Sequence, residues 1–245
     1  MIEQLLLEQS YKNFNLYSIN KSWQDFFQQE IRKGYFLSLL EKLEKKYSSN
    51  NCCPEKENIF RLFHEISPAQ IKVVILGQDP YHLPGVADGI AFSNKKEGHL
   101  PATLKNIFLE LSSDLNCPML DTESSNLLPL VKEGVFLLNT TLSVDSGQPL
   151  SHFELWEEFT SSLIDYLMSK KKNIVWVFWG RKAQNIMENH GIDRKYSLVS
   201  AHPSPFSAEK YGFFGSKPFS KVNELLIVMG EKPINWLTLV KPKVQ

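Results

Sequence analysis

The sequence has few cysteines: of its 245 residues only Cys52, Cys53 and Cys117 are cysteine, and no two have Cys-x-x-Cys spacing. Three thiols cannot form an even set of disulfide bonds, and two of them are adjacent, so we expect free thiols in a reducing, cytoplasmic compartment. Three cysteines are too few for an all-cysteine zinc or iron–sulfur site, and the six histidines include no closely spaced ligand pair. The spacing therefore predicts no metal site.

Long apolar runs and an excess of either charge are also lacking. The longest apolar run, Ile174–Trp179, has six residues, whereas a membrane-spanning helix needs about 20. The first ten residues have no basic region and too few leucines for a signal peptide. Lys and Arg number 27, as do Asp and Glu, so a broad basic coat for nucleic acid is disfavoured. An enzyme with one local basic groove remains compatible with this balance.

The first 70 residues have the periodicity of helices. Apolar side chains recur at helical spacing at Trp23, Phe26, Phe27, Ile31, Leu37, Leu40 and Leu43. A further short helix is expected over 59–63, and the polar segment 48–54 is expected to be a surface loop. The length allows one α/β domain or two small ones. We predict a single domain over 1–245, with a helical region over residues 1–70, a sheet and catalytic region over residues 71–239, and a short C-terminal tail.

From residue 71 onward, short apolar runs alternate with helical patterns. Four runs rich in β-branched residues predict strands at 72–77, 134–139, 173–180 and 196–201. Continuous apolar runs bounded by turn residues are typical of strands buried on both faces. Helical periodicity is found between them, over 104–115 and 153–167. The alternation predicts a three-layer α/β/α fold with a four-stranded, mainly parallel central sheet flanked by helices.

Polar residues follow each predicted strand, where parallel sheets bind ligands. Gln78–His82 follow the first strand, Asn139 ends the second, Gly180–Lys182 end the third, and His202–Pro205 follow the fourth. Because the carboxyl ends of parallel strands meet at one edge of a sheet, we expect these residues to lie together. This convergence is the strongest functional signal in the residues themselves.

Each of the polar residues also has a structural interpretation. Asp79, held extended by Pro80, could bond its own backbone in a turn, or it could orient a water molecule or face a developing positive charge. His202 could fix a turn or act as a positioned donor. The amide of Asn139 could bond a neighbouring loop, or its acceptor and two donors could read the edge of a base.

Three other residues are ambiguous when taken alone. Phe92 could belong to the core, Tyr81 could be a core residue with a solvated hydroxyl, and Thr103 could cap a helix that begins at Leu104. No Gly-x-x-x-x-Gly-Lys loop, dinucleotide fingerprint or Gly-x-Ser-x-Gly motif occurs. Nucleotide phosphate chemistry and serine hydrolysis are therefore disfavoured.

Two motifs resemble those of a known family. Gly77–His82, which reads GQDPYH, and His202–Pro205, which reads HPSP, are similar to the two signatures of family-1 uracil-DNA glycosylases. The resemblance extends from about Ser22 to Leu239. It implies hydrolysis of the bond between uracil and deoxyribose in DNA, with uracil flipped out of the stack and an abasic site left behind. This is the first step of base-excision repair, and it implies no metal or organic cofactor and no lyase activity.

The resemblance implies roles for individual residues. Asp79 would be the catalytic carboxylate that orients water and faces the oxocarbenium-like sugar, and His202 would donate a hydrogen bond to uracil O2 as a neutral imidazole. Gln78 would bind O2 through its backbone amide. Asn139 would pair with N3–H and O4, which rejects cytosine by mismatched polar groups.

The resemblance also implies a steric selection of uracil and a set of contacts with DNA. Phe92 would stack on the flipped ring, and Tyr81 would fill the space that a thymine methyl needs. The implied DNA-binding residues are His82, Ser93, Pro101, Thr103, Ser204, Phe206 and Ser207.

Three departures from the family pattern concern this DNA-binding set. The segment 99–103 has less proline than usual and ends in Thr103 instead of serine. Phe206 stands where leucine usually fills the gap left by the flipped base, and an aromatic wedge can still insert. The stretch 208–211 is one residue longer, with Tyr211 where a basic residue is common. We expect these changes to affect DNA affinity more than bond cleavage.

The implied partners are uracil-containing DNA, single- or double-stranded, and a protein inhibitor as a further candidate; we expect a monomer and no membrane. A catalytically silent DNA-binding or processivity module is the main alternative, and Asp79, Asn139 and His202 disfavour it. A glycosylase acting on mismatched thymine is a second alternative, which Tyr81 and Asn139 disfavour.

Overall fold

The structure is a computed structural model in which four stretches of the chain are described. These are residues 13–49, 51–120, 125–170 and 173–239. The expected C-terminal tail, 240–245, and residues 1–12 of the expected helical region lie outside them. Within the described stretches, no helix combines the length and the apolar character needed to cross a membrane.

The described strands form two sheets. They are β1 (Cys52–Cys53), β2 (Val73–Gly77), β3 (Val135–Asn139), β4 (Val144–Asp145), β5 (Val175–Trp179) and β6 (Ser197–Ser200). β2, β3, β5 and β6 form a parallel sheet in the order β3–β2–β5–β6. β1 and β4 form a separate antiparallel pair. The predicted four-stranded parallel sheet is thus confirmed.

Helices flank this sheet in a three-layer α/β/α arrangement. The described helices are α1 (Gln24–Arg32), α2 (Tyr35–Ser49), α3 (Arg61–Glu65), α4 (Ala102–Leu115), α5 (Leu128–Lys132), α6 (Phe153–Lys170), α7 (Arg181–Asn189), α8 (Pro205–Ala208) and α9 (Pro218–Val228). The N-cap of α4 is Pro101, so Thr103 lies inside the first turn and does not cap the helix as one interpretation had it.

Two expectations about burial are wrong in some respects. β2, β3 and β5 are buried throughout, but β6 forms the edge of the sheet and Val199 is 50% exposed. Segment 48–54 is not simply a surface loop, because Cys53 and Pro54 are buried and β1 pairs with β4. The polar composition of this segment concealed the pairing, which depends on a partner more than 90 residues away.

The helical region and the sheet share one apolar core. The Trp23 ring stacks on Phe136 of β3 with 5.7 Å between ring centroids, and its Nε1–H donates to the carbonyl of Ile66 at 2.8 Å. Phe26 and Phe159 add an edge contact between α1 and α6. Because large aromatic side chains contribute most to such a core, the helical region holds β3 in place beneath the polar residues at its end.

Candidate active site

A cavity of about 160 Å³ opens at the carboxyl ends of β2 and β3. It is lined by Gln78, Asp79, Pro80, Tyr81, His82, Ala87, Gly89, Ile90, Phe92, Ser93, Thr103, Asn139, Pro149 and His202. The structure therefore brings Asp79, Asn139 and His202 into one cavity from three separate strand ends. Pro101, Ser204, Phe206 and Ser207 do not line it.

The position of Asn139 depends on the absence of a side chain opposite it. Gly77 pairs with Asn139 in the β2–β3 register. A Cβ atom added at Gly77 would lie 2.2 Å from Asn139 Oδ1. The amide is 7% exposed, and no described residue forms a hydrogen bond with it. The side chain therefore does not bond a neighbouring loop, and its acceptor and donors are available to a ligand.

Two neutral donors hold the carboxylate of Asp79. Gln78 Nε2 donates to Oδ1 and the backbone N–H of Leu150 donates to Oδ2, each at 3.0 Å. Neither donor is the aspartate's own backbone, so the simple turn interpretation does not describe this residue. No ion pair among the described residues involves Asp79, and both donors are uncharged. The carboxylate is thus oriented while its negative charge stays available to a positive centre.

The imidazole of His202 has a defined tautomer. Its Nδ1 accepts a hydrogen bond from the backbone N–H of Ser204 at 3.0 Å, so the proton of the neutral ring lies on Nε2. Burial lowers the pKa of His202 below its usual value, although the charge of Asp79 partly offsets this shift. At pH 7 the ring is therefore a neutral donor. Gly180 permits this placement, since a Cβ there would lie 2.9 Å from His202 Cβ.

Phe92 and Tyr81 form a linked aromatic wall. Phe92 has a left-handed φ of 64°, and its ring contacts Trp179 edge-on at 5.4 Å. The hydroxyl of Tyr81 donates to the carbonyl of Phe92 at 3.1 Å. Burial raises the pKa of Tyr81, which keeps the phenol protonated and able to donate. Neither ring is simply a core residue, since both line the cavity.

The expected DNA contacts differ in their position relative to the cavity and in their exposure. His82 and Thr103 line it, whereas Ser204 and Ser207 are partly exposed in the segment that follows His202. Phe206, at the start of α8, is 81% exposed. Pro101 is buried and begins α4.

Ser93 lines the cavity, and its hydrogen-bond donors are engaged within the protein. Its side chain is fully buried, its hydroxyl donates to Asp88 Oδ2 at 2.7 Å, and its oxygen accepts from the N–H of Leu127 at 3.1 Å. Its backbone N–H donates to the carbonyl of Ile90. Both of its donors are thus engaged within the protein, and the expected phosphate contact stays a prediction. Through its bonds to Asp88 and Leu127, Ser93 stabilises the turn that contains Phe92.

Sequence reasoning missed the segment 145–152. Pro149 lines the cavity, and Leu150 supplies one of the two donors to Asp79. The run Gln148–Leu150 has no motif of its own, and the donor is a backbone group that every residue except proline has. The hydrogen bond from Leu150 to Asp79 is therefore visible only in the three-dimensional structure.

One cluster has side chains that can ligate metals. Atoms of Cys52, Asp145 and His152 lie within 4.8 Å of one another. However, the ammonium of Lys46 already pairs with Asp145 at 2.9 Å. Burial, with the nearby Asp145 carboxylate, raises the pKa of the Cys52 thiol to about 12. A protonated thiol and a neutralised carboxylate describe a hydrogen-bonded network better than a metal centre.

Comparisons with known proteins show the family to which the chain belongs. The model of the uracil DNA glycosylase superfamily matches residues 63–227. A uracil-DNA glycosylase of Halalkalibacterium halodurans is 44% identical over 219 residues, covering 89% of this chain and 96% of that protein. The crystal structure of mimivirus uracil-DNA glycosylase is 30% identical with a TM-score of 0.85, covering 94% of this chain and 91% of that one. The crystal structure of a mimivirus UNG variant in complex with UGI is 30% identical with a TM-score of 0.84, covering 91% of this chain and 90% of that one.

The substitution Gly77→Ala tests the close approach of β2 and β3 at the cavity. The added methyl forces the amide of Asn139 to rotate, so we expect release of uracil from DNA to fall by at least about tenfold and unfolding stability by about 1–3 kcal/mol. Excision kinetics and thermal unfolding measure the two effects. Gly191→Ala is the control, because Gly191 has a φ of 62° and no atom within 4 Å of an added Cβ. It should lose stability and keep activity. Full activity of Gly77→Ala would contradict the constraint.

Proposed function

This chain belongs to the uracil-DNA glycosylase superfamily, and we propose that the cavity at the ends of β2 and β3 is where it removes uracil from DNA. The protein is a hydrolase that cleaves the N-glycosidic bond between uracil and deoxyribose in base-excision repair. One observation carries the assignment of the site: Asp79, Asn139 and His202 line the same cavity although they lie at or just beyond the ends of three different strands. A flipped nucleotide entering it would meet all three side chains.

Asp79 is proposed to stabilise the sugar as the bond breaks. Positive charge develops on the deoxyribose in an oxocarbenium-like transition state, and a fixed carboxylate lowers the energy of that charge. The bonds from Gln78 and Leu150 hold the carboxylate in one orientation before substrate arrives. The same carboxylate orients the water that attacks the sugar. Preorganisation makes the reorganisation needed during the reaction small.

His202 is proposed to stabilise the departing base. Negative charge spreads over uracil as it leaves, and a neutral Nε2–H can donate to O2 without transferring its proton. The bond from the Ser204 N–H to Nδ1 supports this tautomer, and the lowered pKa of His202 keeps the ring neutral. The backbone amide of Gln78 is proposed as a second donor to O2. Together they divide the charge of the leaving group between two dipoles.

Selection of uracil is proposed to depend on one amide and two rings. Asn139 would accept from N3–H and donate to O4, and cytosine would leave these polar groups mismatched. Phe92 would stack on the base. Tyr81 would occupy the space of a thymine methyl, and its bond to the Phe92 carbonyl supports a fixed wall.

The DNA contacts are proposed to surround the cavity mouth. The candidates for phosphate binding are His82, Ser93, Thr103, Ser204 and Ser207, with Pro101 shaping the adjacent turn. Phe206 is proposed as the wedge that enters the gap left by the flipped base, and its 81% exposure supports that role.

The remaining expectations about the chain's context are also proposals. The continuous core supports a single domain, and the free thiols support a reducing cytoplasmic setting. We propose a monomer that acts on single- or double-stranded DNA without a cofactor. The mimivirus complex with UGI supports a protein inhibitor as a further partner.

The substitution Asp79→Asn tests the central role in the proposal. We expect uracil release to fall at least about 100-fold, because an amide cannot stabilise developing positive charge as a carboxylate does. Binding to uracil-containing DNA should persist. Labelled uracil-containing DNA is incubated with each protein in the presence of a chelator, and alkali then reveals abasic sites. Equal rates for the two proteins would remove Asp79 from catalysis, and loss of wild-type activity in chelator would contradict a cofactor-free reaction.

The substitution Asn139→Asp tests recognition of the base edge. An acid that can be protonated or rearranged can match the donor pattern of cytosine, so we expect measurable release of cytosine and slower release of uracil. Chromatography of the freed bases measures both. Asn139→Ala is the matched control, which should lose uracil release and gain no cytosine release. If Asn139→Asp releases no cytosine, this side chain does not read the edge.

The substitution Phe206→Ala tests the wedge. Loss of a stacked ring should slow excision from duplex DNA by about tenfold, in line with about 1–3 kcal/mol per stacking contact. Single-stranded DNA should be affected less, since no partner stack must be broken. Single-turnover rates on both substrates provide the comparison. Val228→Ala, at a side chain that is 78% exposed on α9, should change neither rate. Equal losses of Phe206→Ala on both substrates would exclude a wedge.

A further inference from the structure

The segment 145–152, which joins β4 to α6, contacts the loop that carries Asp79 at two points. The N–H of Leu150 donates to Asp79 Oδ2 at 3.0 Å, and the N–H of Gly147 donates to the carbonyl of His82 at 2.9 Å. The orientation of the carboxylate therefore depends on where this segment lies.

A buried chain of hydrogen bonds fixes the two ends of the segment to each other. Trp156 Nε1–H donates to Ser143 Oγ at 2.9 Å, and Ser143 Oγ lies 2.9 Å from His152 Nδ1. Because the Asp145 carboxylate can only accept, the proton of the neutral imidazole lies on Nε2, and Nδ1 accepts the hydroxyl proton of Ser143. Nε2 then donates to Asp145 Oδ1 at 3.0 Å. Burial lowers the pKa of His152, which is consistent with this neutral tautomer.

The helical region of the chain anchors the same carboxylate. Lys46 Nζ on α2 donates to Asp145 Oδ2 at 2.9 Å, and the thiol of Cys52 in β1 donates to Oδ1 at 3.6 Å. The N–H of Asp145 itself donates to Ser151 Oγ at 2.8 Å, which closes the segment on itself. Asp145 thus forms hydrogen bonds with α2, with β1 and with the far end of its own loop.

Leu150 adopts a backbone conformation that requires such support. Its φ is 64°, in the left-handed region that residues with a side chain seldom occupy. A residue in this region persists when its surroundings over-determine it, and such residues cluster at functional sites. Here the conformation directs the N–H toward Asp79. The ends of the loop, where Asp145 and His152 lie, supply part of this support.

We propose that Asp145 and His152 are positioning residues for Asp79, acting through the Leu150 N–H. Neither side chain lines the cavity, so neither touches substrate. The inference rests on the proposed catalytic role of Asp79. It predicts that breaking the network slows the chemical step and leaves binding of uracil-containing DNA unchanged.

A double-mutant cycle tests the proposal, with His152→Leu made in the wild-type and in the Asp79→Asn background. In the wild type, single-turnover excision should fall about 10- to 100-fold, since displacement of a catalytic group by about 1 Å can cost that much. In Asp79→Asn the same change should alter the residual rate less than about twofold, because no charge remains to be positioned. Equal losses in both backgrounds, or no loss in the wild type, would overturn the proposal.

Two further variants separate positioning from general damage to the fold. His152→Gln keeps an N–H near the site of Nε2 and should recover most of the lost rate. His190→Leu removes a second His–Asp pair, in which His190 Nδ1 lies 2.7 Å from Asp165 Oδ1, and this variant should leave excision unchanged. Failure of the glutamine to rescue, or an equal loss in His190→Leu, would count against the network.

Lys46→Met provides the test if His152→Leu does not fold, since the Lys46 side chain is 37% exposed and its removal leaves the buried imidazole in place. Excision should fall about threefold in the wild type and not at all in Asp79→Asn; a loss that persists there would overturn the proposal. DNA binding is measured by fluorescence anisotropy, and folding by circular dichroism. If Asp79→Asn alone retains wild-type activity, the proposed function of Asp79 fails, and this outcome is distinct from failure of the network.

Discussion

The central constraint in this fold is that the negatively charged carboxylate of Asp79 is kept in one orientation without being neutralised. The carboxylate of Asp79 accepts from an amide side chain and from a backbone N–H, and neither donor carries a formal charge. A lysine or arginine in either place would orient the group equally well, but it would offset the negative charge that the proposed reaction requires. Neutral donors solve both problems, provided that the segments carrying them are themselves fixed. Much of the surrounding hydrogen bonding serves that condition.

The parallel sheet brings the other groups to the same place. Gly77 leaves room for Asn139 across the β2–β3 pair, and Gly180 leaves room for His202 beyond β5. Glycine therefore acts here through the space it leaves empty, and the polar side chains occupy that space. The groups that we propose select the base and stabilise its charge therefore lie at the same strand ends that the apolar core supports.

The sequence predicted those features of the site that follow from strand periodicity. Asp79, Asn139 and His202 each lie at the end of an apolar run, so their meeting could be expected before any coordinates. The burial of Ser93 could not, because it depends on Asp88 and Leu127 coming together in space. Leu150 acts through a backbone group, and β1 pairs with β4 over a long sequence separation, so neither leaves a local pattern. Motifs locate side chains that do chemistry, whereas the supports that align them become visible only in three dimensions.

The bond between the Tyr81 hydroxyl and the Phe92 carbonyl has a consequence for how the protein samples a genome. The bond joins the ring that we propose excludes thymine to the residue that we propose stacks on the base. On that proposal, a thymine is excluded by the shape of the cavity and needs no chemical step to be rejected. Time spent on each undamaged base is then short, which matters for an enzyme whose target is rare among a vast excess of normal nucleotides.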